Sequence, residues 1–141
     1  MIDWSRQIKL EDVKPGDEIP AISIPVTLQR LVMEAGSNRD FSLIHHNREI
    51  AQSTGASDAY MNTFFILGLF ERMLREWMGV KGRLRKIHSL QMKSFNVVGD
   101  IVICKGKVVT KSEDGEVSLE LSMDNNETTS VTALAVVVIP T

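Results

Sequence analysis

The chain has 141 residues, of which 43% are hydrophobic and 24% charged, with a formal net charge of −2. That is the length of one domain and the composition of a folded globular protein, and it excludes a disordered one. Basic residues are scattered apart from Lys81, Arg83, Arg85 and Lys86, so the electrostatic footprint of a nucleic-acid binder is absent.

In chain order, residues 1–18 are polar, and Met1-Ile2-Asp3-Trp4-Ser5-Arg6 lacks the apolar core of a secretion signal. Lys14-Pro15-Gly16-Asp17 has turn chemistry. Ile19, Ala21, Ile22, Ile24 and Val26 then suggest a strand. Pro20 and Pro25 cannot donate ladder hydrogen bonds, which confines it to an edge or makes it short. Thr27 is a helix N-cap type, and Leu28, Leu31, Val32 and Ala35 recur at helical spacing. Gly36 is the expected left-handed residue that stops this helix. A second short helix is expected over Arg48 to Thr54, ending at Gly55.

Asn62 to Gly79 carries the strongest helical pattern, with Asn62 as N-cap and Gly79 just past the last periodic residue. Its first half, Phe64 to Phe70, is apolar nearly all round, which predicts burial on every side. Its second half turns Met73, Leu74, Trp77 and Met78 inward and Glu71, Arg72, Arg75 and Glu76 outward. Such a helix is about 24 Å long.

Everything after Gly82 reads as strand. Ile87 to Val98 and Ile101 to Thr110 come first, then a hairpin turn at Glu113-Asp114-Gly115-Glu116. Val117, Leu119, Leu121 and Met123 alternate with polar residues, as in an antiparallel strand with one buried face. Asn125-Asn126 turns the chain into a final strand, Thr129 to Ile139, apolar on both faces and hence central or at a subunit interface. The economical assembly is a single domain over 1–141 of the α+β class. An antiparallel sheet, ending in a meander of about four strands, wraps one long central helix in the hotdog architecture.

Cys104 is the only cysteine, which excludes an intrachain disulfide and suggests a reducing compartment. It lies among apolar neighbours, as an inert core thiol does. No apolar run reaches membrane-spanning length, so a cytoplasmic protein is expected.

For chemistry, Asn38-Arg39-Asp40-Phe41-Ser42-Leu43-Ile44-His45-His46-Asn47 stands out. A carboxylate and an imidazole held together can divide acid and base roles, because surroundings push their pKa values apart. By spacing alone, an ordinary loop aspartate and a satisfied histidine are the better reading of Asp40 and His45, because D-x4-H is a weak pattern. His46, adjacent in a loop, points away from His45 and reads as a surface or interface residue. His45, His46 and His88 lack metal-ligand spacing, so no metal is expected. Glu71 pairs with Arg75 at i,i+4.

Asp40, Ile44 and His45 match the D-x-N-P-[aliphatic]-H signature of the MaoC-like dehydratases, which include the (R)-specific enoyl-CoA hydratases (hydratase type 2). The stretch resembles that family, with Ser42-Leu43 in place of Asn-Pro. Val98-Gly99-Asp100 resembles its Gly-Asp turn before a strand. Arg39-Asp40-Phe41, His45-His46, Asn62, Gly68-Leu69, Arg72 and Trp77-Met78-Gly79 are similar to the small MaoC-like subunits of actinobacterial steroid side-chain hydratases.

The resemblance implies hydration or dehydration of 2-enoyl-CoA and 3-hydroxyacyl-CoA thioesters. Asp40 would be the general base. His45 would orient water and exchange a proton with Cα. The backbone N–H of Thr63, standing where relatives have glycine, would hold the thioester oxygen. Asn62 would be the N-cap with a secondary role near the thioester, and Arg39 either a solvated charge or a contact to substrate phosphate. No cofactor is implied, since CoA belongs to the substrate. A homodimer, a higher hotdog oligomer, or a heteromer with a second MaoC-like chain is expected. Two other functions fit the same fold: a hotdog acyl-CoA thioesterase, and an acyl-CoA-binding partner subunit of a heteromeric hydratase.

Overall fold

Three helices begin by one device. Thr27, Asn47 and Asn62 each turn a side-chain oxygen onto a backbone N–H three residues ahead, at 3.2, 3.0 and 2.8 Å respectively. Each bond satisfies a donor that the first helical turn leaves free. In this computed structural model, which describes residues 3, 5–126 and 128–141, the helices are α1 (Leu28–Ser37), α2 (Arg48–Ser53) and α3 (Thr63–Met78). Met1, Ile2 and Trp4, within the segment read above for a secretion signal, lie outside the described residues. Gly79, with φ +78, closes α3 where the sequence places its stop.

The strands are β1 (Glu18–Pro25), β2 (Arg83–Met92), β3 (Ile101–Lys111), β4 (Glu116–Asn125) and β5 (Thr128–Val138). They form one antiparallel sheet in the order β1-β3-β4-β5-β2. β1, with its two prolines, is an edge, as its missing donors require. β5 is interior, between β4 and β2, one of the two placements expected for it, and Leu134 on its outer face is 38% exposed. β4 buries Val117, Leu119, Leu121 and Met123 on one side.

Two expectations need correction. β2 begins at Arg83 and ends at Met92, and it pairs with β5 instead of β3. Only β3, β4 and β5 form a meander. The chain from Lys93 to Asp100 is no hairpin. It crosses one end of the sheet, tied by Lys93 N–H to Ser130 O at 2.7 Å and by a bridge between Tyr60 and Val97. The second correction concerns α3. The sheet curves around one side of it, burying Phe70, Met73, Leu74 and Met78 against Val102, Cys104, Leu119, Met123 and Val137. Phe64 is 61% exposed, and Gly68 is open too. One sheet covers one face of a helix, so the apolar first half stays uncovered on the other.

Phe70 is fully buried, and removing a phenyl ring from such a position costs about 3–5 kcal/mol. Cys104 is equally buried, and burial pushes its thiol up to about 12, against a small opposing pull from Arg72. No helix among the described residues is long and apolar enough to cross a membrane.

Candidate active site

The end of α1 sets Asp40. The helix runs through Gly36 to Ser37, and Arg39 takes the left-handed conformation at φ 58. Asp40 N–H then reaches back to Ala35 O at 2.8 Å and Arg39 N–H to Gly36 O at 3.3 Å, which is the double bond pattern of a Schellman stop. The expected role of Gly36 therefore falls to Arg39, at a cost of about 1 kcal/mol relative to glycine. In return the stop fixes the backbone of Asp40 to the helix it follows.

Asp40 Oδ1 next accepts the Ser42 N–H at 3.2 Å, a local turn that leads into a single 3-10 turn over Leu43–His45. This turn folds His45 back under Asp40, with Nε2 at 3.0 Å from Oδ2. His45 is 5% exposed, whereas His46 faces outward. The other ring nitrogen, Nδ1, lies 2.7 Å from the Tyr60 carbonyl. A carbonyl only accepts, so Nδ1 carries a hydrogen. The contact between Nε2 and Oδ2 is then a hydrogen bond only when the pair shares one further proton. Tyr60 also packs edge-on to the His45 ring and against Phe95.

Burial acts to raise the Asp40 carboxyl, but the Ser42 amide, the Asn62 amide and His45 together outweigh it and hold the group below its ordinary range. Asp40 is accordingly a carboxylate near neutrality, beside a histidine whose ring cannot rotate without breaking its bond to Tyr60 O.

The start of α3 supplies the third part. Asn62, besides capping the helix, extends Nδ2 to Asp40 Oδ2 at 3.1 Å and to Asn38 Oδ1 at 3.2 Å. The N–H groups of Thr63 and Phe64 donate to no acceptor among the described residues, as the first positions of a helix leave them free and at the positive end of its dipole. They border a cavity of about 500 Å³ that Asp40, His45, Tyr60, Thr63, Met92 and Phe95 help to line. A carboxylate–imidazole pair, two free amides and apolar walls thus meet in one space.

The structure brings Asp40, His45, Asn62 and Thr63 together. It does not bring Arg39 into the cavity: its side chain is exposed beside the stop it forms. Glu71 lies on the outer face of α3 and accepts from Arg75 at 2.9 Å. His45, His46 and His88 form no cluster, and among the described residues no group of three metal-binding side chains occurs. Sequence reasoning missed Tyr60, whose contribution is a carbonyl, and the crossing segment with Phe95 and Asn96. No residue type signals a carbonyl's direction. The polar gap after Met92 in a run read as strand was the available sign of the crossing.

No protein-family model matches the chain. It is 29% identical over 118 residues to the 3-oxo-4,17-pregnadiene-20-carboxyl-CoA hydratase beta subunit of Mycobacterium tuberculosis, spanning 84% of this chain and 90% of that one. It superposes on the ChsH1-ChsH2 complex from Mycobacterium tuberculosis with a TM-score of 0.84 at 25% identity, covering 89% of this chain and 98% of the chain matched. Superposition on the (R)-hydratase from A. caviae involved in PHA biosynthesis also gives 0.84, at 22% identity and covering 92% and 99%. That last likeness is one of fold. The chain is thus similar to a hydratase beta subunit and has the hotdog fold shared by MaoC-like dehydratases and (R)-hydratases.

Proposed function

We propose that the chain adds water to, or removes it from, acyl-CoA thioesters at the 2,3 position, with Asp40 and His45 as the acid–base pair. The observation that carries this reading is the 3.0 Å contact between Asp40 Oδ2 and His45 Nε2, facing a cavity at the start of α3. In hydration, a water oxygen bonds to Cβ while Asp40 accepts one of its protons. The proton shared with His45 goes to Cα, and the proton from water replaces it on the pair. Both transfers come from one side of the double bond. Charge that builds on the thioester oxygen meets the free N–H groups of Thr63 and Phe64, which are fixed before the reaction begins. No step needs a metal or a cofactor.

A second reading keeps the site and adds a second chain. The relative named above is a beta subunit and the superposed structure is a complex. Phe64, Met92 and Phe95 line the cavity yet are 61%, 56% and 43% exposed, and Phe41 and Leu43 near the site are exposed as well. A partner chain of the same fold would cover such a rim and lengthen the acyl site. The thioesterase alternative has less support, because α3 offers no carboxylate before Glu71 and that residue is paired on the outer surface.

The test is hydration of a trans-2-enoyl-CoA, followed by loss of the conjugated thioester's ultraviolet absorbance, with the chain alone and with a co-purifying MaoC-like chain. Asp40→Asn and His45→Ala are each expected to lower turnover by about 10²–10⁴. Full turnover in both variants would remove the assignment. Release of free CoA from a saturated acyl-CoA would restore the thioesterase reading.

A further inference from the structure

Asn62 uses the two ends of one amide for two purposes, and neither end is interchangeable. The Phe65 N–H can only donate, so it must face Oδ1, where it lies at 2.8 Å. Nδ2 is thereby aimed at the Asp40 carboxylate and at Asn38 Oδ1. Asn38 is oriented in turn from α1: its Nδ2 lies 3.4 Å from Glu34 Oε1, which leaves its oxygen for Asn62. Asn62 is 6% exposed, so water cannot readily take over these bonds. The reactive carboxylate is therefore tied to two helices, through the Schellman stop of α1 and through the cap of α3.

We propose that Asn62 is a positioning residue for the Asp40 carboxylate, kept in register by Asn38, in addition to capping α3. Its catalytic consequence rests on the hydratase reading; the positioning itself does not. Asp40 Oδ2 accepts from Asn62 on one side and meets His45 on the other, and Oδ1 takes the Ser42 N–H, so the amide and His45 together leave the second lone pair of Oδ1 for water. The charged or titratable groups around this carboxylate are His45 from the 3-10 turn, Tyr60 packed against His45 in the same cavity, Lys93 from the crossing segment that lines it, Arg39 next in the chain, and Glu34 behind Asn38. On α3 there is none before Glu71.

The amide's two purposes separate by substitution. Asn62→Ser keeps a good N-cap oxygen but replaces the amide donor to Asp40 with a shorter hydroxyl. Asn62→Ala loses both. Asn62→Asp keeps the cap and sets a second carboxylate beside Asp40. The measurements are thermal unfolding, the carbon NMR titration of the Asp40 carboxyl without substrate, and kcat and KM for trans-2-enoyl-CoA hydration.

In Asn62→Ser the expected result is near-native melting, an Asp40 midpoint moved to higher pH, and kcat reduced about tenfold with KM little changed. Asn62→Ala should show the same titration change with lower melting, and Asn62→Asp the largest upward movement. An Asp40 titration and a kcat in Asn62→Ser equal to wild type would overturn the proposal while leaving the hydratase reading intact. A moved midpoint in a chain that hydrates no enoyl-CoA, alone or with its partner, would uphold the positioning role and remove the hydratase reading.

Discussion

Replacing Thr63 with proline would remove one atom group that the proposed chemistry needs and almost nothing that the fold needs. Thr63 is the first residue of α3, and its N–H has no acceptor among the described residues. Proline is well accepted there because its missing N–H was unpaired and its ring fixes a helical φ. The preceding residue must then be extended, and Asn62 already is, with φ −83 and ψ 165. The threonine side chain gives up only a 4.0 Å approach to Met92 Sδ. Stability should therefore change by no more than about 1 kcal/mol, with a small gain from the stiffer unfolded chain.

Activity should respond very differently. Loss of one donor to a developing oxyanion lowers kcat by about 10²–10³, equivalent to roughly 2.7–4 kcal/mol, in an enzyme where that donor acts. The charge exists only in the transition state, so KM should hold. Thermal unfolding establishes that Thr63→Pro is folded, and steady-state hydration of trans-2-enoyl-CoA then reads the effect. Thr63→Gly, which keeps the N–H, serves as the comparison and should retain turnover within a few-fold. A folded Thr63→Pro with wild-type kcat would mean that the thioester oxygen is not held at the first amide of α3.

Two other outcomes follow from groups already described. Asp40 and Asp124 both lie below the ordinary carboxylate range: Asp40 because Ser42, Asn62 and His45 outweigh its burial, Asp124 chiefly through its bond to Lys105, against burial, with help from Thr129. A lowered folded pKa means that the unfolded chain binds more protons, so their stabilisation is present above about pH 4 and disappears as the pH falls through the folded values. Urea midpoints measured from pH 5 to 2 should fall steeply in the wild type and less so in an Asp40→Asn/Asp124→Asn double variant; equal slopes would contradict this. Arg39→Gly should relieve the left-handed strain at φ 58 and offset the glycine's extra unfolded entropy, for a net gain of about 0–1 kcal/mol by chemical denaturation. KM should stay constant, since Arg39 lies off the cavity, and a raised KM would instead restore a contact to substrate phosphate.

The helix from Asn62 to Gly79 was legible because its caps and its periodicity are side-chain properties, and so was β4, where Val117 to Met123 alternate. The pairing of Asp40 with His45 was legible only as a possibility, since spacing does not say whether a loop folds back. What folds it back is the Ser42 amide and one 3-10 turn, both backbone events. Tyr60 was invisible for the same reason: its carbonyl orients His45, and every residue has a carbonyl. Hydrophobicity likewise records that Phe64 avoids water without recording what covers it. The partner of β2 was misread because an apolar alternation fits any neighbouring strand equally well, and only the crossing segment decides that it is β5.

That crossing also has a consequence in time. Arg83 pairs with Val138 and Met92 with Val131, so β2 waits for the last strand to be made. Until β5 leaves the ribosome, β2 has no ladder, the cover over α3 is missing its far side, and the segment that closes the cavity has no Ser130 carbonyl to hold Lys93. Pairings of such long sequence separation form slowly. The chain should thus spend its synthesis with α1, α2 and an apolar α3 already made and their sheet unfinished, a state that favours capture by chaperones. Stopping the chain before β5 should leave an insoluble product, even though every residue of the candidate site would already be present.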